Sequence, residues 1–206
     1  MKKLLTITML LLVVIACKKE NNTINKFKED VDNVKEAKQG LENVNEVIKG
    51  AKNLEKNIKK LSELTPVTKE QIKAWMPEEI DDLKRTYFSV SKELGMTCKL
   101  VFKGENGKKI NINIIDGAGN GAPMVSMFSM MQNIEIDKES ESGYERTQTL
   151  DGQRTLIKYQ SSENYEKSTL QCLFKERFGI EANAWKMTPE ELWKYIKKLD
   201  IDTLVK

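Results

Sequence analysis

Apolar residues recur every three or four positions in the N-terminal third of the chain. They are Ile24, Phe27, Val31, Val34, Ala37, Leu41, Val44, Ile48, Ala51, Leu54, Ile58 and Leu61. Steps of three and four put side chains on one stripe of a helix, so residues 24–64 are expected to be amphipathic and helical. The frequent three-residue steps resemble a coiled-coil seam. A continuous helix here would run roughly 60 Å at about 1.5 Å per residue. Gly40 and Gly50 interrupt it, each costing about 1 kcal/mol inside a helix. Gly40 also follows Lys35 and Lys38, as the residue after a helix C-terminus would. Three forms stay open: a stalk through which copies self-associate, a helical hairpin, and a helix lying on its own domain.

Thr65-Pro66 ends this stretch. Thr68 with Gln71 has capping-box spacing for a short helix to about Trp75, which Met76-Pro77 stops. From Arg85 the period changes to two. Met96, Cys98, Leu100 and Phe102 alternate with Thr97, Lys99, Val101 and Lys103, and Ile110, Ile112 and Ile114 continue beyond Asn106-Gly107 as a hairpin. Residues 143–150 and 153–160 form a second hairpin around Asp151-Gly152. Two more strands are expected at 167–175 and 178–184. Thr188, Pro189 and Glu191 start a last helix as N-cap, first-turn proline and capping box, with Leu192, Trp193, Ile196 and Leu199 on its apolar face. Hairpin-linked strands flanked by helices give an α+β fold around an antiparallel sheet. The order of elements is similar to that of PsbP-like sandwich domains, a topological likeness that carries no ligand residues.

A separate apolar run, Leu4 to Ala16, follows Met1-Lys2-Lys3. It is shorter than the ~20 residues needed to span a bilayer, and it has the flanks of a signal peptide. Val14-Ile15-Ala16-Cys17 supplies an aliphatic residue, a tolerant position, a small residue and cysteine, and so resembles the lipobox of bacterial lipoproteins. The resemblance implies cleavage before Cys17 and acyl chains such as palmitate on Cys17. Two or more chains anchor stably where one does not. It implies a protein of the cell envelope, and Lys18 in place of aspartate favours the outer membrane. The organisation expected is a signal at 1–16, a lipidated tether at 17–23, the helical segment at 24–64 and an α+β domain at 65–206. Residues 65–206 also resemble uncharacterised envelope lipoproteins at Met76-Pro77-Glu78, Leu83-Lys84-Arg85-Thr86, Asp151-Gly152-Gln153 and Arg177-Phe178-Gly179, a likeness that implies no activity.

Net charge is +3 over 206 residues. Lys2 and Lys3 would leave with the signal, which brings the remainder near neutrality and removes a nucleic-acid footprint. The chain has no histidine, so His-based triads, His–Cys dyads and His-ligated metals are absent. No metal or other cofactor is expected. The loop Asp116-Gly117-Ala118-Gly119-Asn120-Gly121 offers backbone N–H groups before a helix, a candidate anion site. It lacks the third glycine of a dinucleotide loop, the Lys and hydroxyl of a P-loop, and the ligands of a calcium loop at Ala118 and Met127, so a plain connection is the favoured reading.

Met124, Met127, Phe128 and Met131 fall on one helical face with Met130 alongside. Core packing is expected for them; if exposed, they would make an adaptable partner face or a thioether Cu(I) site. Cys98 and Cys172 share the apolar phase of their strands and are read as free thiols, with a disulfide as the alternative. Glu78-Glu79 and Glu190-Glu191 suit helix first turns rather than acid–base chemistry. Trp75, Trp185 and Trp193 are expected to be packing anchors. The function expected is non-enzymatic binding or scaffolding at the membrane surface, with an unidentified protein partner. A carrier of a small ligand or lipid, and an inhibitor or immunity protein against an envelope toxin or hydrolase, are the alternatives.

Overall fold

The structure, a computed structural model, describes residues 44–93 and 95–205. Cys17, the tether and the amphipathic stripe before Val44 lie outside the described residues.

Alternation of buried and open positions marks the central strands, because successive strand residues point to opposite faces. In β3 (Met96–Lys103) Met96, Cys98, Leu100 and Phe102 are buried, and in β4 (Lys109–Asp116) Ile110, Ile112 and Ile114 are. Seven further strands join them: β1 (Glu79–Ile80), β2 (Leu83–Ser91), β5 (Asp137–Ser140), β6 (Gly143–Leu150), β7 (Gln153–Ser162), β8 (Tyr165–Phe174) and β9 (Phe178–Trp185). Among the described residues they form one sheet in the order β1-β2-β3-β4-β9-β8-β7-β6-β5, with every neighbour antiparallel. Two meanders, β1–β4 and β5–β9, therefore meet along β4 and β9. Asp151 and Gly152 join β6 to β7 with positive φ of 47° and 81°, the turn geometry whose twist matches the flanking strands. The fold is α+β, as expected, and the short edge strands β1 and β5 are additions to the reading from sequence.

The helices are α1 (Val44–Ser62), α2 (Lys69–Trp75), α3 (Ala122–Gln132) and α4 (Pro189–Lys198). Both expected capping boxes are present. Thr68 Oγ1 accepts from Gln71 N and Gln71 Oε1 from Thr68 N; Thr188 and Glu191 repeat the exchange at α4. Leu192, Trp193 and Ile196 of α4 and Ile72 of α2 pack on one face of the sheet with Phe102, Ile110, Ile112, Leu170, Phe178 and Ile180. Two turns grip α4 from outside. Asp82 accepts from the Tyr195 hydroxyl at 2.5 Å, and Asp151 accepts from Trp193 Nε1 at 3.0 Å and Lys197 Nζ at 2.6 Å.

On the opposite face Leu61 joins Ile115, Ala122, Val125 and Leu173, with Ile58 and Phe128 against them. The last turns of α1 therefore belong to the domain, and the boundary expected at residue 65 does not separate them. Helix α1 is continuous through Gly50. Burying Leu61 contributes about 1.5–3 kcal/mol, more than the ~1 kcal/mol cost of one glycine.

Candidate functional site

Ile112 and Ile114 face the core, so the residues between them face away from it, and the registers of β3, β4, β9 and β8 align what they carry. One row reads Lys103, Lys109, Trp185, Lys167; the next Val101, Asn111, Asn183, Thr169; the third Lys99, Asn113, Glu181, Gln171. The fourth row, Thr97, Ile115, Gly179, Leu173, meets α3 and the end of α1. Phe128 closes over Gly179, where an added Cβ would lie 3.2 Å from its ring. Tyr87 of β2 pairs with Val101 and extends the second row; it is 53% exposed.

These rows form a polar network. Thr169 Oγ1 donates to Asn183 Oδ1 at 2.9 Å, Asn183 Nδ2 to Glu181 Oε1 at 3.1 Å, and Gln171 Nε2 to Glu181 Oε2 at 3.0 Å. Lys109 and Lys167 lie 4.8 Å and 5.5 Å from the Trp185 ring centre, a cation–π arrangement on both flanks. Asn111 Oδ1 and Asn113 Oδ1 are buried with no hydrogen-bond partner. Trp185 is not the packing anchor expected of it; Trp75 and Trp193 are, both with indole N–H groups bonded beside the core.

The Asp116 loop has a different role from the anion site considered for it. Asp116 is 2% exposed, and its carboxylate accepts from Arg177 Nε at 2.7 Å, Arg177 Nη2 at 2.8 Å, Val67 N at 2.8 Å and Ala118 N at 3.0 Å. Arg177 Nη2 also reaches Thr65 O at 2.9 Å. Gly117 N donates to Arg177 O and Gly121 N to Ala118 O. The N–H groups of Gly117, Ala118 and Gly121 are thus committed to protein oxygens, and a buried carboxylate occupies the cradle. Gly121 is required by close approach, since a Cβ there would lie 1.9 Å from Asp116 O. The 3-10 turn at Gly119–Gly121, with Asn120 exposed, leads into α3. The loop is a clasp joining the end of β4, the β8–β9 turn and the chain leaving α1.

The methionines of α3 face outward, against the expectation of core packing. Met124, Met127 and Met130 are exposed, Met127 at 58%, while Phe128 turns inward with Val125 and Ala122. The side chain of Met131 is outside the described residues. Small and β-branched residues let α3 lie close to the sheet, which leaves the long thioethers on the solvent side.

Cys98 and Cys172 are buried free thiols. They occupy one row, Cys98–Ile114–Ile180–Cys172, with two strands between them. Three strand spacings of about 4.8 Å separate them by roughly 14 Å, far beyond disulfide range. Burial pushes both thiols up to about 12, which leaves them protonated and unreactive. Glu79 sits in β1 rather than in a helix, and Glu190 and Glu191 lie in the first turn of α4.

The loose motifs seen in sequence are tertiary clasps. Arg85 Nη1 donates to Met76 O at 3.1 Å and Pro77 O at 2.6 Å, Asp151 holds α4, and Arg177 holds Asp116. Comparison with known proteins adds no identity: no family model, no curated protein and no solved structure matches the chain.

Proposed function

We propose that this chain is a lipid-anchored protein of the bacterial envelope that binds a ligand through the open rows of its sheet, without catalysis. The anchor rests on Val14-Ile15-Ala16-Cys17. The observation that carries the binding role is the polar ladder of β3, β4, β9 and β8, with Trp185 between Lys109 and Lys167 at its end. The carrier alternative is less favoured, because the space between sheet and α4 is filled by core side chains. The inhibitor alternative gains one feature, the exposed methionines of α3, which suit an adaptable protein contact. The likeness to PsbP-like sandwiches belongs to the same proposal and rests on an antiparallel sheet with helices on both faces.

Photo-crosslinking in the native envelope tests the binding role. A benzoyl-phenylalanine at Tyr87, on the edge of the second row, is expected to capture an envelope component. The same group at Lys194, on the outer side of α4, is expected to capture none. Equal capture from both positions, or none from Tyr87, would contradict the reading.

A further inference from the structure

We infer that two copies of this chain pair edge to edge along β2, antiparallel about a two-fold axis at Ser89, and so join their sheets. The inference stands apart from the ligand proposed above and rests on a different part of the fold. Backbone is the first argument. β1 covers β2 only at Leu83 and Lys84, and Arg85 N donates to Glu78 O. A bulge between Arg85 and Tyr87 then resets the register, and residues 87–91 pair regularly with β3. Among the described residues no strand lies on the outer side of 87–91. The direction of their backbone groups follows from the next pair. Gly104 N donates to Lys108 O across the β3–β4 turn. Alternate residues of an antiparallel strand bond to the same neighbour, so even-numbered residues of β3 bond to β4 and odd-numbered ones to β2. Val101, Lys99 and Thr97 are odd, and they face Tyr87, Ser89 and Ser91. Phe88 and Val90 therefore direct N–H and C=O away from the sheet, an edge that only another extended backbone satisfies in full.

Self-complementarity is the second argument, and it selects a second copy as the occupant. With Ser89 on the axis, Phe88 stands opposite Val90 of the second copy, and Val90 opposite its Phe88. Every outward donor then meets an outward acceptor. The side-chain phases agree as well. Phe88 and Val90 lie on the face of Leu100 and Cys98. Phe88 is 42% exposed, and the pairing lays its ring against the other copy's Val90, which already packs at the margin of the core. On the open face Tyr87 meets Ser91. Charge is the third argument. Residues 86–91, Thr-Tyr-Phe-Ser-Val-Ser, carry no charge, so no like charges oppose each other in this register. The other edge of the sheet differs. β5 is four residues long and fully exposed, with Asp137, Lys138 and Glu139, the short charged strand that blocks such pairing. The resulting interface is isologous and sets both polar ladders on one side of a continuous sheet. Five residues a side fall well short of the about 20–30 of a stable complex, so the pair is weak and is best trapped.

The test is disulfide trapping in the purified full chain carrying Cys17→Ser, whose remaining thiols, Cys98 and Cys172, are buried. Residues 87, 89 and 91 fall at non-hydrogen-bonded positions of the proposed pair, where facing Cα atoms are about 4.5 Å apart, within disulfide reach. Ser89→Cys is expected to give a disulfide-linked dimer under mild oxidation. Two copies of residue 91 lie about 13 Å apart across the axis, so Ser91→Cys alone should react at least tenfold more slowly, although Ser91 is exposed and Ser89 half-buried. Mixed with Tyr87→Cys, it should give the heterodimer at the Ser89→Cys rate. Phe88→Lys added to Ser89→Cys should slow trapping at least tenfold. If Phe88→Lys does not fold, the Tyr87→Cys and Ser91→Cys mixture carries the comparison. Equal rates at Ser89 and Ser91 would mean random collision and would overturn the pairing. No dimer at Ser89 overturns it too: a monomer in sedimentation then leaves the edge to an extended segment of another protein, and an associated species assigns self-association to another surface, such as residues 24–64. Purified protein holds no envelope ligand, so these outcomes leave the ligand reading untouched. In the envelope experiment a Tyr87 adduct between two copies reports this pairing, and an adduct with another component reports the ligand.

Discussion

Replacing Arg177 by methionine should destabilise the domain severely, chiefly through the polar contacts of its guanidinium, which also lies 5.1 Å from the centre of the buried Phe178 ring. The guanidinium makes two short bonds to the Asp116 carboxylate, at 2.7 and 2.8 Å, and a third to Thr65 O at 2.9 Å. The Asp116 side chain is 1% exposed and that of Arg177 17%. Methionine keeps most of the stem's packing but leaves a buried carboxylate whose remaining donors are the N–H groups of Val67 and Ala118. Removing one partner of a buried ion pair costs about 3–5 kcal/mol. The two remaining donors place this case near the lower end. In a domain of this size each kcal/mol moves Tm by about 2–4 °C, so Arg177→Met should lower it by roughly 6–12 °C. Urea unfolding of the full chain measures the loss directly. A cycle with Asp116→Asn should show coupling of about 2 kcal/mol, within the range for groups in one network. Hydrogen exchange should show Val67 N–H losing protection before the strands do, because the clasp ties the chain after α1 to the sheet. A loss under about 1 kcal/mol, or additive single changes, would refute the clasp.

Three further outcomes follow from the same contacts. Asp151 is held below the usual carboxylate range by Lys197 and then Trp193, and Asp82 by the Tyr195 hydroxyl. A carboxyl lowered in the folded state adds stability above the unfolded value of about 3.9 and loses it as pH falls through the folded value. Asp151→Asn should therefore flatten the loss of stability between about pH 5 and pH 2; an unchanged acid limb would argue against the α4 grip. With Cys17 replaced by serine, denatured and unreduced protein should show two reactive thiols while native protein shows none at pH 8, and a single disulfide-linked species would contradict the strand register. Gly121→Ala should cost about 3 kcal/mol, the upper part of the overpacking range, read by the same urea assay, because its Cβ meets a backbone oxygen rather than a side chain.

The regular parts of the fold are legible in sequence because they rest on local rules. Thr68 with Gln71 and Thr188 with Glu191 mark helix starts, and the isoleucines at 110, 112 and 114 mark the buried phase of a strand. The order of strands is not legible, since β9 inserts beside β4 through side chains distant in sequence. The candidate site suffered most. Asn111 and Asn113 are plain as the polar phase of β4, yet only the pairing with β9 and β8 brings Asn183, Glu181, Thr169 and Gln171 beside them. Trp185 looks like any core aromatic until its register places it between two lysines. Met124, Met127 and Met130 show the reverse error. Their hydrophobicity points inward, but α3 sits close on the sheet through Ala122, Val125 and Phe128, the last over Gly179, and leaves no room for them. Asp116 heads a glycine-rich loop that invites an anion, and Arg177, far along the chain, supplies the charge that the carboxylate is there to meet.

The envelope anchor is tested most directly by the mass of the N-terminal peptide of the protein taken from its native membrane. It is expected to begin at Cys17 and to carry a diacylglyceryl group, with further acylation at its amine, and Cys17→Ser should abolish both the modification and membrane retention. A peptide beginning at Met1 or at another residue, with Cys17 unmodified, would contradict the lipid anchor and with it the placing of the polar face in the envelope.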